Sequence, residues 1–390
     1  MYRALSLSLL VCMASLTFAQ TAPSSLASPS APLQVVYVVD GSTLTTYNIN
    51  SQTLQPTEVG TTALPQSVYP GLVTSPSGHV VYYTAFQNLD QQGEQLDVYN
   101  TNSSGVPNGK SIQTISVKGV YSLQVDPNGR FLYLVQQGAG SNGFYPANII
   151  RAVIDPATGK LSQPVTVAKY QLESGAVFCS LSIFGMSAAG IKLYDEIWCT
   201  YPHGGAEATY NERTVDAQTG ALGPDQQVYY WNNSSGGGEF VQFVKNLMFD
   251  FVIPNSYQQD VNSVNVYALQ PNVTTPLIQC TASMLANCGS DAFGLTHPSA
   301  QYVFLFSPQQ TTDIDEVDLN SKQIVGTSST IPYRVEQFSP DGSIAYAAND
   351  VNTALDIQIY GFNTTNAQVT AGGAISVPSG LDSWFAVERR

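Results

Sequence analysis

The stretch SPDGSIAYAA, Ser339 to Ala348, decides the fold. A Pro-Asp-Gly turn runs directly into a short apolar strand centred on Tyr346. Pro presets the first turn dihedral and Gly takes the left-handed one, so the chain reverses into a hairpin. The same phrase recurs as SPSGHVVYYTAF from Ser75 and DPNGRFLYLV from Asp126. Weaker copies are SAAGIKLYDEI from Ser187 and HPSAQYVFLF from His297, with a shortened one, VKNLMFDFV, from Val244. A second phrase alternates with the first and places an Asp or Asn six residues before an apolar residue. It reads NINSQTL at Asn48, NTNSSGV at Asn100, DPATGKL at Asp155, DAQTGAL at Asp216, DLNSKQI at Asp318 and NTTNAQV at Asn363, with a degenerate copy, YALQPNV, at Tyr267. A side-chain carboxylate or amide at such a turn bonds backbone N–H groups two residues on.

Neighbouring copies lie about 40–60 residues apart, the period of a four-stranded propeller blade. Seven second-phrase turns predict an all-β, seven-bladed β-propeller of antiparallel blades. Six or eight blades are the alternatives, because the copies near Val244 and Tyr267 are weak. The N-terminal run LQVVYVVDGSTLTTYNI supplies later strands of one blade, and GLDSWFAVE near the C-terminus supplies its innermost strand. The two ends are therefore expected to share a sheet and close the ring, which removes exposed strand edges.

Composition agrees with a β protein rich in turns. The chain has 22 Tyr, 31 Gly and 22 Pro, and 11% of its residues are charged. Residues 1–19 read as a signal peptide: Arg3, an apolar run from Leu5 to Leu16, and small residues ending at Ala19. Val11 before Cys12 disfavours a lipid anchor there. Residues 20–33, rich in Pro, Ser and Ala, read as a disordered linker, and residues 34–390 as the propeller. No stretch is long and apolar enough to span a bilayer. The expected location is the periplasm or the cell exterior. The net charge of −14 repels phosphate backbones and excludes nucleic acid as a partner. The partners left are a small molecule, a glycan or an envelope protein, bound by a monomer.

Four cysteines follow the signal peptide. An even number in an oxidising compartment points to disulfides. Two strands around the turn Ser187 to Gly190 place Cys179 opposite Cys199, and Cys280 with Cys288 would clip a short loop.

The strings SPDGSIAYAAN, DPNGRFLYLV and DPATGKL resemble the lactonase-like, YVTN-type seven-bladed propellers. That family includes propeller-type 6-phosphogluconolactonase and carboxy-cis,cis-muconate cyclase. The resemblance covers roughly the whole mature chain and reports blade construction, so it implies a fold more than a chemistry. Enzymes of the family carry Pro-Arg-His before the blade turn, with the Arg and His facing the central site. The resemblance carries over to Arg334 in IPYRVEQFSP, where Val335 stands in the place of His. Ala292 and Phe293 precede Pro298, and Tyr121 and Ser122 precede Pro127, at the equivalent places.

Lactone opening needs a base to activate water and a cation or donor for the oxyanion. Arg334 and Glu336 alternate on one inner strand and are expected to share a face. Glu239, in GGEFVQF, is expected on another inner strand. His203 lies in a Gly-rich connection, YPHGGAEATYNER, followed by Glu207, Glu212 and Arg213. These four, Arg334, Glu336, Glu239 and His203, are the candidate catalytic residues; a structural ion pair is the alternative for Arg334 and Glu336. His79 is expected at the surface and His297 in a structural turn position. DIDEVD, Asp313 to Asp318, crowds four carboxylates, but it alternates along a strand without the Gly of a calcium loop. No metal or cofactor is expected. The sequons at Asn102, Asn232, Asn233, Asn272 and Asn363 fit surface turns. Two functions follow: a binding or scaffold module, or a lactone hydrolase or muconate-cyclase-like enzyme working at the central channel.

Overall fold

A computed structural model describes residues 34–65, 67, 69–86, 95–137, 146–171, 175–202, 205–233, 238–253, 263–281, 293–306, 311–349, 355–377 and 383–389. These residues form seven four-stranded antiparallel sheets and no helix. The first strand of one sheet contacts the first strand of the next, which makes an inner ring of strands. The molecule is a seven-bladed β-propeller, with blades numbered here along the chain.

Blade 1 joins the first and the last of the described strands. Its inner strand is Ser383–Arg389, and its other three are Gln34–Asp40, Thr43–Ile49 and Pro56–Ala63. Gln34 pairs with Arg389 and Asp40 with Ser383, so the ring closes as expected from the two terminal runs. In the other six blades the inner strand comes first. It descends to a tight turn, the second strand returns, and longer connections leave from the end where the inner strand began.

Each blade buries both faces against its neighbours, which is why the second strands read as near-continuous apolar runs. Phe249 and Phe251 of blade 5 pack with Val303 and Leu305 of blade 6. Tyr37 of blade 1 packs with Val81 and Tyr83 of blade 2. Removing this apolar surface from water is the main force holding the ring.

The two repeated phrases meet in space. Tyr37, Tyr82 and Tyr133 each donate a hydroxyl hydrogen bond to a carbonyl in the second-phrase turn of the next blade: Gly105 at 2.9 Å, Gly159 at 3.1 Å and Gly220 at 2.9 Å. Tyr302 makes the same bond to Thr364 at 2.8 Å. Each of these tyrosines latches one blade to the next.

The acidic turns are capped as expected. Oδ1 of Asp155, Asp216 and Asp318 accepts from the N–H groups two and three residues on, and Asn363 accepts from Thr365. In blades 1 and 2 the capping residues are Asn50 and Asn102 rather than Asn48 and Asn100. The blade 2 reversal is one residue tighter, with Gly105 N–H bonding the Asn102 carbonyl, whereas Leu54 N–H bonds the Asn50 carbonyl just as Gly159 N–H bonds that of Asp155. The degenerate copy at Tyr267 is held from outside: Asn272 and Val273 donate to Gln227 and Val228 of blade 4.

Cys179 and Cys199 stand directly opposite on the first two strands of blade 4 and form a disulfide. Cys280 is also disulfide-bonded, and Cys288 lies outside the described residues.

Candidate functional site

Arg334 opens the inner strand of blade 7, Arg334–Phe338, at the end of the ring away from the tight turns. A register shift between Val335 and Gln337 makes Glu336 the extra residue of a bulge. Such a bulge re-aims side chains. Arg334 and Glu336 are joined in an ion pair through Nε, Nη2 and Oε1, with the arginine side chain one-third exposed and the glutamate nearly buried. The two side chains therefore meet as an ion pair through the bulge rather than through regular alternation.

Glu239 is the second residue of the inner strand of blade 5, Gly238–Val244, paired with Val252. It sits two blades from Arg334, and its side chain lies outside the described residues. His203 also lies outside them. The acidic and basic residues after His203 are engaged in structure. Glu212 pairs with Lys192 at 2.8 Å. Arg213 is buried with Asp195 between blades 3 and 4, Nε to Oδ2 at 3.0 Å, where Tyr170 and Asn211 also donate to the carboxylate. Burial raises the Asp195 carboxyl above its ordinary range, while Arg213 pulls it back. Such networks specify the packing of neighbouring blades when every member is satisfied.

The two remaining histidines do not join the channel. His79 is exposed, in the turn at the far end of the blade 2 inner strand. His297 is fully buried in the corresponding turn of blade 6. Its Nδ1 accepts from Ser299 N–H at 3.0 Å, so Nε2 carries the proton and donates to the Gly342 carbonyl at 2.9 Å. Burial pushes its pKa down to about 4, against the opposing effect of the Gly342 bond, and the ring is neutral. It is a bolt between blades 6 and 7, ringed by Tyr302, Phe304, Phe338 and Phe362.

DIDEVD is divided by its strand. Asp313 is half-buried, Asp315 buried, Glu316 exposed, and Asp318 caps its turn. Among the described residues no group of three or more metal-ligating side chains comes together.

A second constellation escaped the reading of the sequence. Glu196 lies mid-strand in the second strand of blade 4, Lys192–Thr200. Alternation puts Tyr194 and Trp198 on its face. Ser182 of the inner strand and Tyr210 of the third strand stand directly opposite it. One row nearer the end where the inner strands begin, Ser180, Trp198, Ala208 and Trp231 form a line across the blade. Both tryptophans are half-buried and the alanine between them is buried, so two indoles flank a small floor. Blade 5 lies opposite, with Phe243 stacked on Tyr194 at 4.9 Å and Asp250 Oδ2 3.3 Å from the Tyr229 hydroxyl. Glu196 keeps part of its surface open, yet burial pushes its pKa up to about 7, with the Tyr210 hydrogen bond resisting. The signal for this niche was present in LYDEIWCT: a lone Glu alternating with Tyr and Trp on one strand face.

The class these observations define is the seven-bladed β-propeller. No protein-family model and no curated protein matches the chain. Among solved structures, a protein from Lactobacillus plantarum is similar over 92% of this chain and 100% of its own, at 11% identity and a TM-score of 0.60. A protein described as a hypothetical selenium-binding protein from Sulfolobus tokodaii is similar over 97% and 96%, at 11% identity and a TM-score of 0.53. At such identities the likeness is one of fold alone.

Proposed function

We propose that this chain is a secreted, lactonase-like propeller that acts as a binding or scaffold module in the periplasm or outside the cell. Its ligand is a small molecule, a glycan or an envelope protein, engaged at the end of the ring where the inner strands begin. The observation that carries this reading is the state of the channel-side charges. Arg334, the residue kept from the family's catalytic pattern, is neutralised by Glu336 on its own strand. An ion pair of this kind orients a polar mouth and holds the Glu336 carboxylate on the arginine rather than on a water. The disulfide of blade 4 fits an oxidising compartment, and no helix among the described residues is long and apolar enough to cross a membrane.

The second reading, a lactone hydrolase, rests on Arg334 itself. A panel of sugar, aryl and acyl lactones, tested on the mature oxidised protein beside Arg334→Ala and His203→Ala, separates the two. Absence of turnover from folded protein is expected. Turnover that disappears in either folded variant would replace the binding module with an enzyme.

A further inference from the structure

The niche between blades 4 and 5 combines features that no blade-packing role requires. Six residues after the turn, where Glu196 stands in blade 4, the second strands of blades 2, 3, 5 and 7 carry Thr84, Val135, Phe251 and Ala348, all uncharged and buried. Glu196 puts a carboxyl there instead. Tyr194 and Tyr210 beside it are buried against Phe243, and the half-buried Trp198 and Trp231 present aromatic surface. Two strand spacings separate Trp198 from Trp231, about 10 Å between backbones. Ala208 between them leaves room for a group of small radius.

Aromatic faces are negative by their quadrupole and attract cations. Several rings around a quaternary ammonium ion form the aromatic cage known from such recognition. A carboxylate at the base of the cage supplies the countercharge. No charged neighbour contributes to the perturbation of Glu196, so its desolvated carboxylate has no described cation to compensate it. A chain with a net charge of −14 also draws cations toward its clefts. We propose that Glu196, Trp198 and Trp231 form an aromatic cage that binds the quaternary or alkyl ammonium group of a cationic ligand. This inference rests on the binding-module reading and names a ligand class for it.

The other titratable groups facing the niche are accounted for. On its own strand and the next, Tyr194 stays neutral because burial raises it, and Lys192 is paired with Glu212. Tyr210 donates to Glu196 itself. Across from blade 5, Asp250 receives Tyr229 and Asn265, and Tyr267 packs in the same cluster. The inner strand of blade 5 also carries Glu239, whose side chain lies outside the described residues. The ligand therefore meets Glu196 as a carboxylate above neutrality and as an acid below it.

The test uses choline against 3,3-dimethyl-1-butanol, its uncharged isostere, on the full mature chain. Binding is read by calorimetry and by tryptophan fluorescence between pH 6 and pH 8. Choline should bind at least about tenfold tighter than the alcohol, the worth of a desolvated cation–π contact. Its affinity should be about tenfold higher at pH 8 than at pH 6, because that range spans the ionisation of Glu196. Glu196→Gln should abolish the pH dependence. Trp198→Leu should lose the fluorescence change and most of the affinity, and Trp198→Tyr should keep part of it, with thermal unfolding confirming that each variant is folded. Equal binding of choline and its isostere, a flat pH profile, or a neutral sugar occupying the niche in place of choline would each overturn the cage. Capture of some other ligand that survives Trp198→Leu would leave the binding module standing without this site. A folded protein that binds nothing of any class would remove both.

Discussion

His297 and Glu196 hold opposite protonation debts in the folded chain. The pKa of His297 falls from 6.5 to about 4, so the unfolded chain takes up the proton first as pH drops. Its contribution is complete above pH 6.5 and is lost as pH falls toward 4. Glu196 rises from 4.5 to about 7, so the folded chain holds the proton longer. Its contribution is complete below pH 4.5 and is lost as pH rises through 7. Each shift corresponds to roughly 3 kcal/mol, an upper value for the partly open Glu196. Between pH 4.5 and pH 6.5 the two slopes oppose each other. Thermal unfolding of the native chain should therefore show little change from this pair across that window. In Glu196→Gln the melting temperature should climb with pH through the window. In His297→Gln, which keeps a donor toward Gly342, it should decline instead. Parallel profiles for the two variants would show that these groups do not titrate as assigned. The roles of the two residues were unequally legible. His297 read as a turn residue because of its place before Pro298, whereas its partner, Gly342, lies 45 residues away in a different blade. The aromatic company of Glu196 was visible on one strand, but Trp231 joins it only through strand pairing.

At the level of elements, the two repeated phrases were legible because turns are local chemistry. Gly, Pro, Asp and Asn announce themselves within a few residues. That the Tyr of one phrase bonds the Gly of the other was not legible, since Tyr133 and Gly220 are 87 residues apart. The latch makes both ends testable. Tyr133→Phe keeps the ring but leaves the buried Gly220 carbonyl without that donor, a loss of about 1–3 kcal/mol. Gly220→Ala should cost more. Its φ of +67° is unfavourable for a side chain, and an added Cβ would meet the Phe131 ring at 2.8 Å. Urea unfolding of the two variants should rank them in that order. The capping turns offer a contrast. Asp216 sits in an exposed turn, so Asp216→Ala removes its bonds to Gln218 and Thr219 while water replaces them. A large loss there, comparable to Gly220→Ala, would place the stability of the ring in its turns rather than between its blades.

Ring closure is the property of the whole molecule that the termini control. Seven residue pairs join Gln34–Asp40 to Ser383–Arg389, and no covalent bond links the two strands. The run GLDSWFAVE was legible as the missing inner strand because the other blades each had one. Ending the chain at Val377 removes that strand and leaves the inner edge of Gln34–Asp40 unpaired. Val35, Val36, Tyr37 and Val38 are all buried there, so the truncated chain gains an apolar edge that templates association. Truncation should lower the melting temperature and drive aggregation. The converse change should do the opposite. Gln34 lies directly opposite Arg389 on an antiparallel neighbour, a geometry that a two-residue turn can bridge. A circular permutant that joins Arg389 to Gln34 in this way, opened between Asn320 and Ser321 in an exposed turn, makes the closure covalent. Closing a short hairpin costs far less entropy than bringing together ends separated by the whole ring. The permutant should therefore melt above the native chain and stay monomeric. If it melts well below the native chain while the truncated form stays soluble, the ring is held by its blade interfaces alone, and the terminal strand is only a cover on blade 1.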